Sequence, residues 1–250
     1  MLLLIIGGFF AGVIDAIAGG GGLITLPLLM LSFGPGPDAI GTNKIAGVLA
    51  SLAAFLVYWT RQRRFPLKKS LLFCSGIMMG SFLGSQASPH FDRTFFKWLL
   101  VLSCPLILWV VWNRDLWIRA ELKEATVDPS KRRAVLTLLL PGLVVGFYDG
   151  FWGPGGGTFM FLALLVVAKL PLFESLLISK LANTVSATSA FVGFYAKGYV
   201  HFAQGIPLGL GIMAGAFTGA RLARKRAGDL VRPVLTLVAI LLLIRICFDR

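Results

Sequence analysis

The sequence predicts an all-α, polytopic membrane protein made of two inverted-topology repeats of about five helical pieces each, with Gly-broken helices. Three observations predict this. Apolar segments run almost the length of the chain, a glycine pattern recurs about 135 residues later, and basic residues crowd into three short loops.

The apolar segments set the class. Hydrophobic residues make up 57% of the chain and charged residues 14%, against about 25% charged in an ordinary soluble domain. Eight apolar blocks can be read: 2–33, 39–59, 70–88, 95–112, 134–168, 172–196, 202–222 and 232–248. Several approach or exceed the ~20 residues that carry a helix across a bilayer. Period-two alternation is absent, which excludes a membrane β-barrel. Blocks 2–33 and 134–168 are too long for one ordinary span. The first is interrupted by Gly19-Gly20-Gly21-Gly22 and the second by Gly153-Pro154-Gly155-Gly156-Gly157. Such runs break a helix, because glycine adds backbone freedom and proline removes a donor. Each long block is therefore read as two pieces, ten in all.

The repeat rests on four matched features in one order. Gly76–Gly84 matches Gly211–Gly219 at an offset of 135, and Gly20–Gly22 matches Gly155–Gly157 at the same offset. Asp15 matches Asp149 at 134, and Lys44-Ile45-Ala46 matches Lys180-Leu181-Ala182 at 136. The expected division is a first repeat over 1–112, a cytoplasmic linker over 113–133 and a second, inverted repeat over 134–250.

Orientation follows from charge. The formal net charge of +13 is not spread out. Five Lys/Arg lie in 61–69, six in 113–133 and five in 221–232. The positive-inside rule places these loops in the cytoplasm and gives them anionic lipid as a neighbour, so no nucleic-acid partner is implied. Loops 89–94 and 197–201 then face out. Block 39–59 crosses inward and its counterpart 172–196 crosses outward, which makes the repeat inverted. Each Gly-broken block must begin and end on one side, as a re-entrant hairpin or two short spans, and both termini lie outside. The start is read as a retained helix, since it lacks the basic flank and cleavage site of a signal peptide.

Candidate site residues follow from membrane physics. A helix restarting after a break turns unpaired N–H groups and a positive dipole end toward the gap, and this suits an anion. Paired broken segments are the strongest sequence pointer to a transport site. Gly20, Gly21, Gly22 and Gly155, Gly156, Gly157 are the expected backbone contacts, and a side chain at Gly21 or Gly156 should block them. Lys44 and Lys180 lie inside apolar blocks, where a lysine costs roughly 3 kcal/mol to insert. They supply charge to a bound anion, snorkel to an interface, or pair with aspartate. The pairs read within each half are Lys44 with Asp15 and Lys180 with Asp149. Asp15 and Asp149 carry a coupling proton or cation, pair with the lysines, or cap the broken helices. Asn43, Ser179 and Asn183 beside the lysines can hydrogen-bond a ligand or a neighbouring helix. Gly76/Gly80/Gly84 and Gly211/Gly215/Gly219 are read as packing faces, and Trp109, Trp112 and Trp117 as an interfacial belt.

Chemistry is excluded by what is missing. Cys74, Cys104 and Cys247 are isolated and imply neither disulfide nor metal, and His90 and His201 have no ligand spacing. There is no HExxH, GxSxG or P-loop. No cofactor and no enzyme activity are expected.

The stretches Asp15-Ala16-Ile17-Ala18-Gly19-Gly20-Gly21-Gly22-Leu23-Ile24-Thr25-Leu26-Pro27, Thr42-Asn43-Lys44 and Gly146-Phe147-Tyr148-Asp149-Gly150-Phe151-Trp152-Gly153-Pro154-Gly155 resemble the TauE/SafE family, also called TSUP or sulfite-exporter-like, and within it the YfcA-like branch. The resemblance covers nearly the whole chain. It implies a membrane transporter of sulfur-containing anions such as sulfite or an organosulfonate, and a bacterial inner-membrane location. After Gly157 the second copy continues with Thr158 and lacks the Leu23-Ile24 and Pro27 of the first, so the half-sites need not be equivalent. The reading is a secondary transporter, an exporter of a small anion. A passive anion channel and a non-transporting membrane scaffold are the alternatives. The expected partners are the anion, membrane lipid and a coupling proton or cation.

Overall fold

The computed structural model describes residues 1–18, 20–60, 65–113 and 132–222, and all regular structure within them is helical. The helices are α1 (Leu2–Ala18), α2 (Gly22–Phe33), α3 (Pro37–Trp59), α4 (Leu67–Ala87) and α5 (Arg93–Trp112), followed by α6 (Arg132–Phe151), α7 (Gly156–Leu162), α8 (Leu172–Tyr195) and α9 (Phe202–Leu222). A single π turn, Ala163–Val167, continues α7. The two long apolar blocks break where the glycines fall. The tenth piece, 232–248, and most of the basic loops lie outside the described residues, as does Trp117.

The breaks have a backbone cause. Gly153 (φ 106°) and Gly155 (φ 75°) flank Pro154 in conformations that other residues rarely adopt. The chain then doubles back. A Cβ on Gly7 would press on Leu28, and one on Gly21 would lie 2.9 Å from the Ala11 carbonyl, so α1 and α2 are antiparallel arms. Helix α2 has 12 residues, about 18 Å of rise. α7 with its π turn has a similar length. Both arms are shorter than the ~30 Å hydrocarbon layer.

Packing then exchanges helices between the halves. Helix α4 packs on α6, and α9 packs on α1. The glycine stripes make this possible. A Cβ on Gly142 would sit 2.7 Å from the Phe73 carbonyl, and one on Gly146 would sit 2.5 Å from that of Ile77. Across the other pair, a Cβ on Gly8 would lie 2.7 Å from the Leu208 carbonyl and one on Gly219 2.5 Å from that of Val13. No side chain larger than hydrogen allows backbones this close. In both pairs the residue numbers rise together, so the helices are parallel. The result is one bundle of α1, α2, α3 and α9 and a second of α6, α7, α8 and α4.

The bundles meet along α3 and α8. Thr184 Oγ1 donates to Ser51 Oγ at 3.0 Å, a Cβ on Gly47 would touch Ala187, and one on Gly41 would touch Phe194. One number falls as the other rises, so α3 and α8 run antiparallel. Large apolar side chains such as Phe10, Met79, Leu83, Leu140, Val144 and Phe217 point outward, while Ser51, Ser81, Ser186 and four charged side chains are buried. An interior more polar than the exterior suits a hydrocarbon surround. Among the described residues, three helices are long and apolar enough to cross a membrane: Pro37–Trp59, Leu67–His90 and Phe202–Arg221.

Candidate functional site

Each bundle brings its glycine break to the α3–α8 seam, and the four charged side chains meet there. Lys44 is 4% exposed, Lys180 2%, Asp15 6% and Asp149 4%. Lys44 Nζ lies 3.2 Å from Asp149 Oδ2, and Lys180 Nζ lies 3.1 Å from Asp15 Oδ2. Each ammonium also donates to the backbone carbonyl of the aspartate it pairs with. The pairs therefore cross between the first and second halves of the sequence. The within-half pairs expected from sequence, Lys44 with Asp15 and Lys180 with Asp149, do not form. Exchange of partners follows from the geometry of the seam: α3 faces the break of the second half, and α8 faces that of the first.

The surroundings of the two carboxylates differ. Asp15 Oδ1 accepts from the Gly21 N–H at 3.2 Å, so it occupies the start of α2. Asp149 Oδ2 accepts instead from the Ser186 hydroxyl at 2.6 Å, and Gly156 lies so close that a Cβ there would strike Asp149 Oδ1. Tyrosine hydroxyls tie down both breaks. Tyr58 donates to the Ala16 carbonyl at 2.8 Å, and Tyr148 donates to that of Pro154 at 2.7 Å.

A cavity of about 40 Å³ opens between the breaks, room for a few water-sized groups. It gathers Asp15, Gly22, Asn43, Lys44, Asp149, Gly155, Gly156, Gly157 and Asn183 from the residues expected at the site. Gly20, Gly21 and Lys180 do not line it. Gly20 accepts from Leu23 N–H, Gly21 is engaged by Asp15, and Lys180 is engaged with Asp15 behind the wall. Ser179 turns back to the Leu176 carbonyl at 2.8 Å. Asn43 Oδ1 is buried beside the cavity without a hydrogen-bond partner, an arrangement that costs free energy unless a ligand or water completes it. Leucine at Gly21 or Gly156 would strike Asp15 or Asp149 directly, so it would disturb packing as well as access.

Sequence reasoning missed Ser186, Tyr58, Tyr148 and the facing glycines Gly142, Gly146 and Gly150. The glycines carry a sequence signal, the same four-residue spacing as Gly76/Gly80/Gly84, and Tyr148 lies within the stretch that carries the family resemblance. His201 has no ligand spacing in the sequence, and its Nε2 lies 2.7 Å from Asp38 Oδ1 at the start of α3.

The family model described as sulfite exporter TauE/SafE matches residues 4–246. A Haemophilus influenzae protein named "Probable membrane transporter protein" is 32% identical, covering 97% of this chain and 92% of the relative. A Sinorhizobium protein of similar name, ORF9, is 31% identical over 100% of this chain and 93% of its own. The "Probable membrane transporter protein YfcA" of Escherichia coli K12 is 30% identical over 96% and 86%. No solved structure matches the chain. A family model spanning nearly every residue, together with relatives named as transporters along their whole length, makes this chain a member of the TauE/SafE family of membrane transporters.

Proposed function

We propose that this chain is a multi-pass secondary transporter that moves a small anion, such as sulfite or an organosulfonate, through the cavity between the two glycine breaks. The observation that carries the reading is the seam. Two buried ion pairs, two breaks and one cavity converge where the exchanged bundles meet. Buried lysines inside a membrane protein mark substrate or ion pathways. The antiparallel run of α3 and α8 supports inverted repeats, and inverted repeats let one bundle rock against the other to expose the cavity to either side. Rigid glycine-packed helix pairs within each bundle favour motion at the seam.

Charge balance refines the mechanism. The four fixed charges cancel, so an entering anion brings net negative charge into a low-dielectric site, and this is costly. A proton taken up by one aspartate offsets one unit of that charge and frees its lysine for the anion. Anion and proton then travel together. A passive channel with this site would show steady flux without proton movement. Thermal unfolding of the purified protein with sulfite, thiosulfate, sulfonates and carboxylates tests the substrate class, because a ligand that binds only the folded state raises stability by mass action. Stabilisation by a sulfur oxyanion, absent with carboxylates, is expected. No response to any of them would remove the cavity as an anion site.

A further inference from the structure

The two half-sites are matched in lysine, aspartate and glycine, but the partners of their carboxylates are not. Asp15 is held by the Gly21 N–H and by Lys180 Nζ, groups that only donate. Neither can accept a hydrogen bond from a protonated carboxyl. Asp149 Oδ2 is shared by Lys44 and the Ser186 hydroxyl. A hydroxyl can reverse its role. When Asp149 gains a proton, its O–H can donate to Ser186 Oγ, whose own hydrogen can turn to a carbonyl one helical turn back, as helix serines commonly do. At the position matching Ser186, the first half carries Ala50, so Asp15 has no such partner.

We infer that Asp149 is the carboxylate that takes up the coupled proton, with Ser186 as its positioning residue, while Asp15 stays ionised as the anchor of α2. Coupling to an anion rests on the function proposed above; the titration of Asp149 does not. The step balances simply: one proton from water bonds to an Asp149 oxygen, the Lys44 ion pair is released, and the ammonium keeps its charge for the anion. The other titratable groups on the packed elements do not share this position. Lys44 and Lys180 are the central cations of α3 and α8. Asp38 and Tyr58 on α3, Glu174 and Tyr195 on α8, and Lys68 and Lys69 on α4 lie toward helix ends. Cys74 on α4 is a further thiol, and α7 has no titratable side chain.

Infrared titration of the full-length protein in lipid tests this without any ligand. Acidification should bring up a protonated-carboxyl band from a buried group. The band should be absent in Asp149→Asn and retained in Asp15→Asn. It should change frequency in Ser186→Ala and return in Ser186→Thr, which keeps the hydroxyl; this pair reports even if Asp149→Asn folds poorly. A band lost in Asp15→Asn but kept in Asp149→Asn, one indifferent to Ser186→Ala, or no band over the pH range where the protein stays folded would overturn the assignment. Calorimetric binding of thiosulfate, whose charge is constant over that range, tests the coupling separately. Wild-type affinity should fall about tenfold per pH unit above the transition, as one linked proton requires, and Asp149→Asn should bind independently of pH. Binding without proton uptake by the wild type would refute coupling. A titrating Asp149 with no binding of thiosulfate or sulfite would count against the anion reading and leave the proton assignment standing.

Discussion

Replacing Lys44 by Met should destabilise the protein far more than replacing both members of its ion pair. The Lys44 ammonium sits 3.2 Å from Asp149 Oδ2, and both side chains are almost wholly buried. Removing one member of such a pair strands a buried charge and typically costs about 3–5 kcal/mol. Protonation of Asp149 limits the loss, since a stranded carboxylate neutralises rather than remaining charged. In Lys44→Met with Asp149→Asn, no charge is stranded. What remains lost is the donation to the Asp149 carbonyl, about 1–2 kcal/mol. The double variant should therefore be about 2–3 kcal/mol more stable than Lys44→Met alone. Lys44→Met with Asp15→Asn breaks two separate pairs, so its effects should add to within about 0.5 kcal/mol. The assay is unfolding in mixed micelles for wild type, the single variants and both doubles. Coupling between residues 44 and 15, with additivity between 44 and 149, would refute the crossed pairing and the seam built on it.

Three further outcomes follow from the same geometry. Gly80→Ala and Gly215→Ala place a methyl against the facing carbonyls of Leu143 and Phe9, and each should cost more than about 2 kcal/mol in the same unfolding assay. Gly22→Ala meets Pro154 Cα at 3.4 Å and the Gly153 carbonyl and Pro154 N at 3.9 Å, all ordinary contacts. It should fold normally by size-exclusion and melting while lowering anion uptake, because Gly22 lines the cavity. Single cysteines replacing Ser130 and Lys197 should react differently with an impermeant reagent in intact cells. Labelling at 197 and not at 130 is expected from inverted repeats with cytoplasmic basic loops, and the reverse would contradict that topology.

The breaks and the stripes were legible because glycine and proline act through the backbone, whose constraints are local. Gly19–Gly22 and Gly153–Gly157 separate α1 from α2 and α6 from α7, with no knowledge of tertiary packing needed. The crossing of Lys44 to Asp149 and Lys180 to Asp15 was not legible. Offsets of 134 to 136 relate the two halves equally well whether each lysine serves its own half or the other. Only the antiparallel seam of α3 on α8 decides between them. Ser186 was hidden for a related reason. Matching the repeats highlights what the halves share, and Ser186 stands opposite Ala50. Gly156 was read as an anion contact, yet the structure also presses it against Asp149. Gly22 is therefore the cleaner probe of the cavity.

The most direct test of the transport site is flux of labelled sulfite and thiosulfate into proteoliposomes holding wild-type protein, Gly22→Leu or Lys44→Met with Asp149→Asn, with internal pH followed at the same time. The account predicts wild-type flux accompanied by proton movement. It also predicts little flux from Gly22→Leu at matched folded protein, and reduced flux without normal pH coupling from the double variant, which lacks both the Lys44 ammonium and the proton site. Undiminished, normally coupled flux in both variants would contradict a site at the seam of the two bundles.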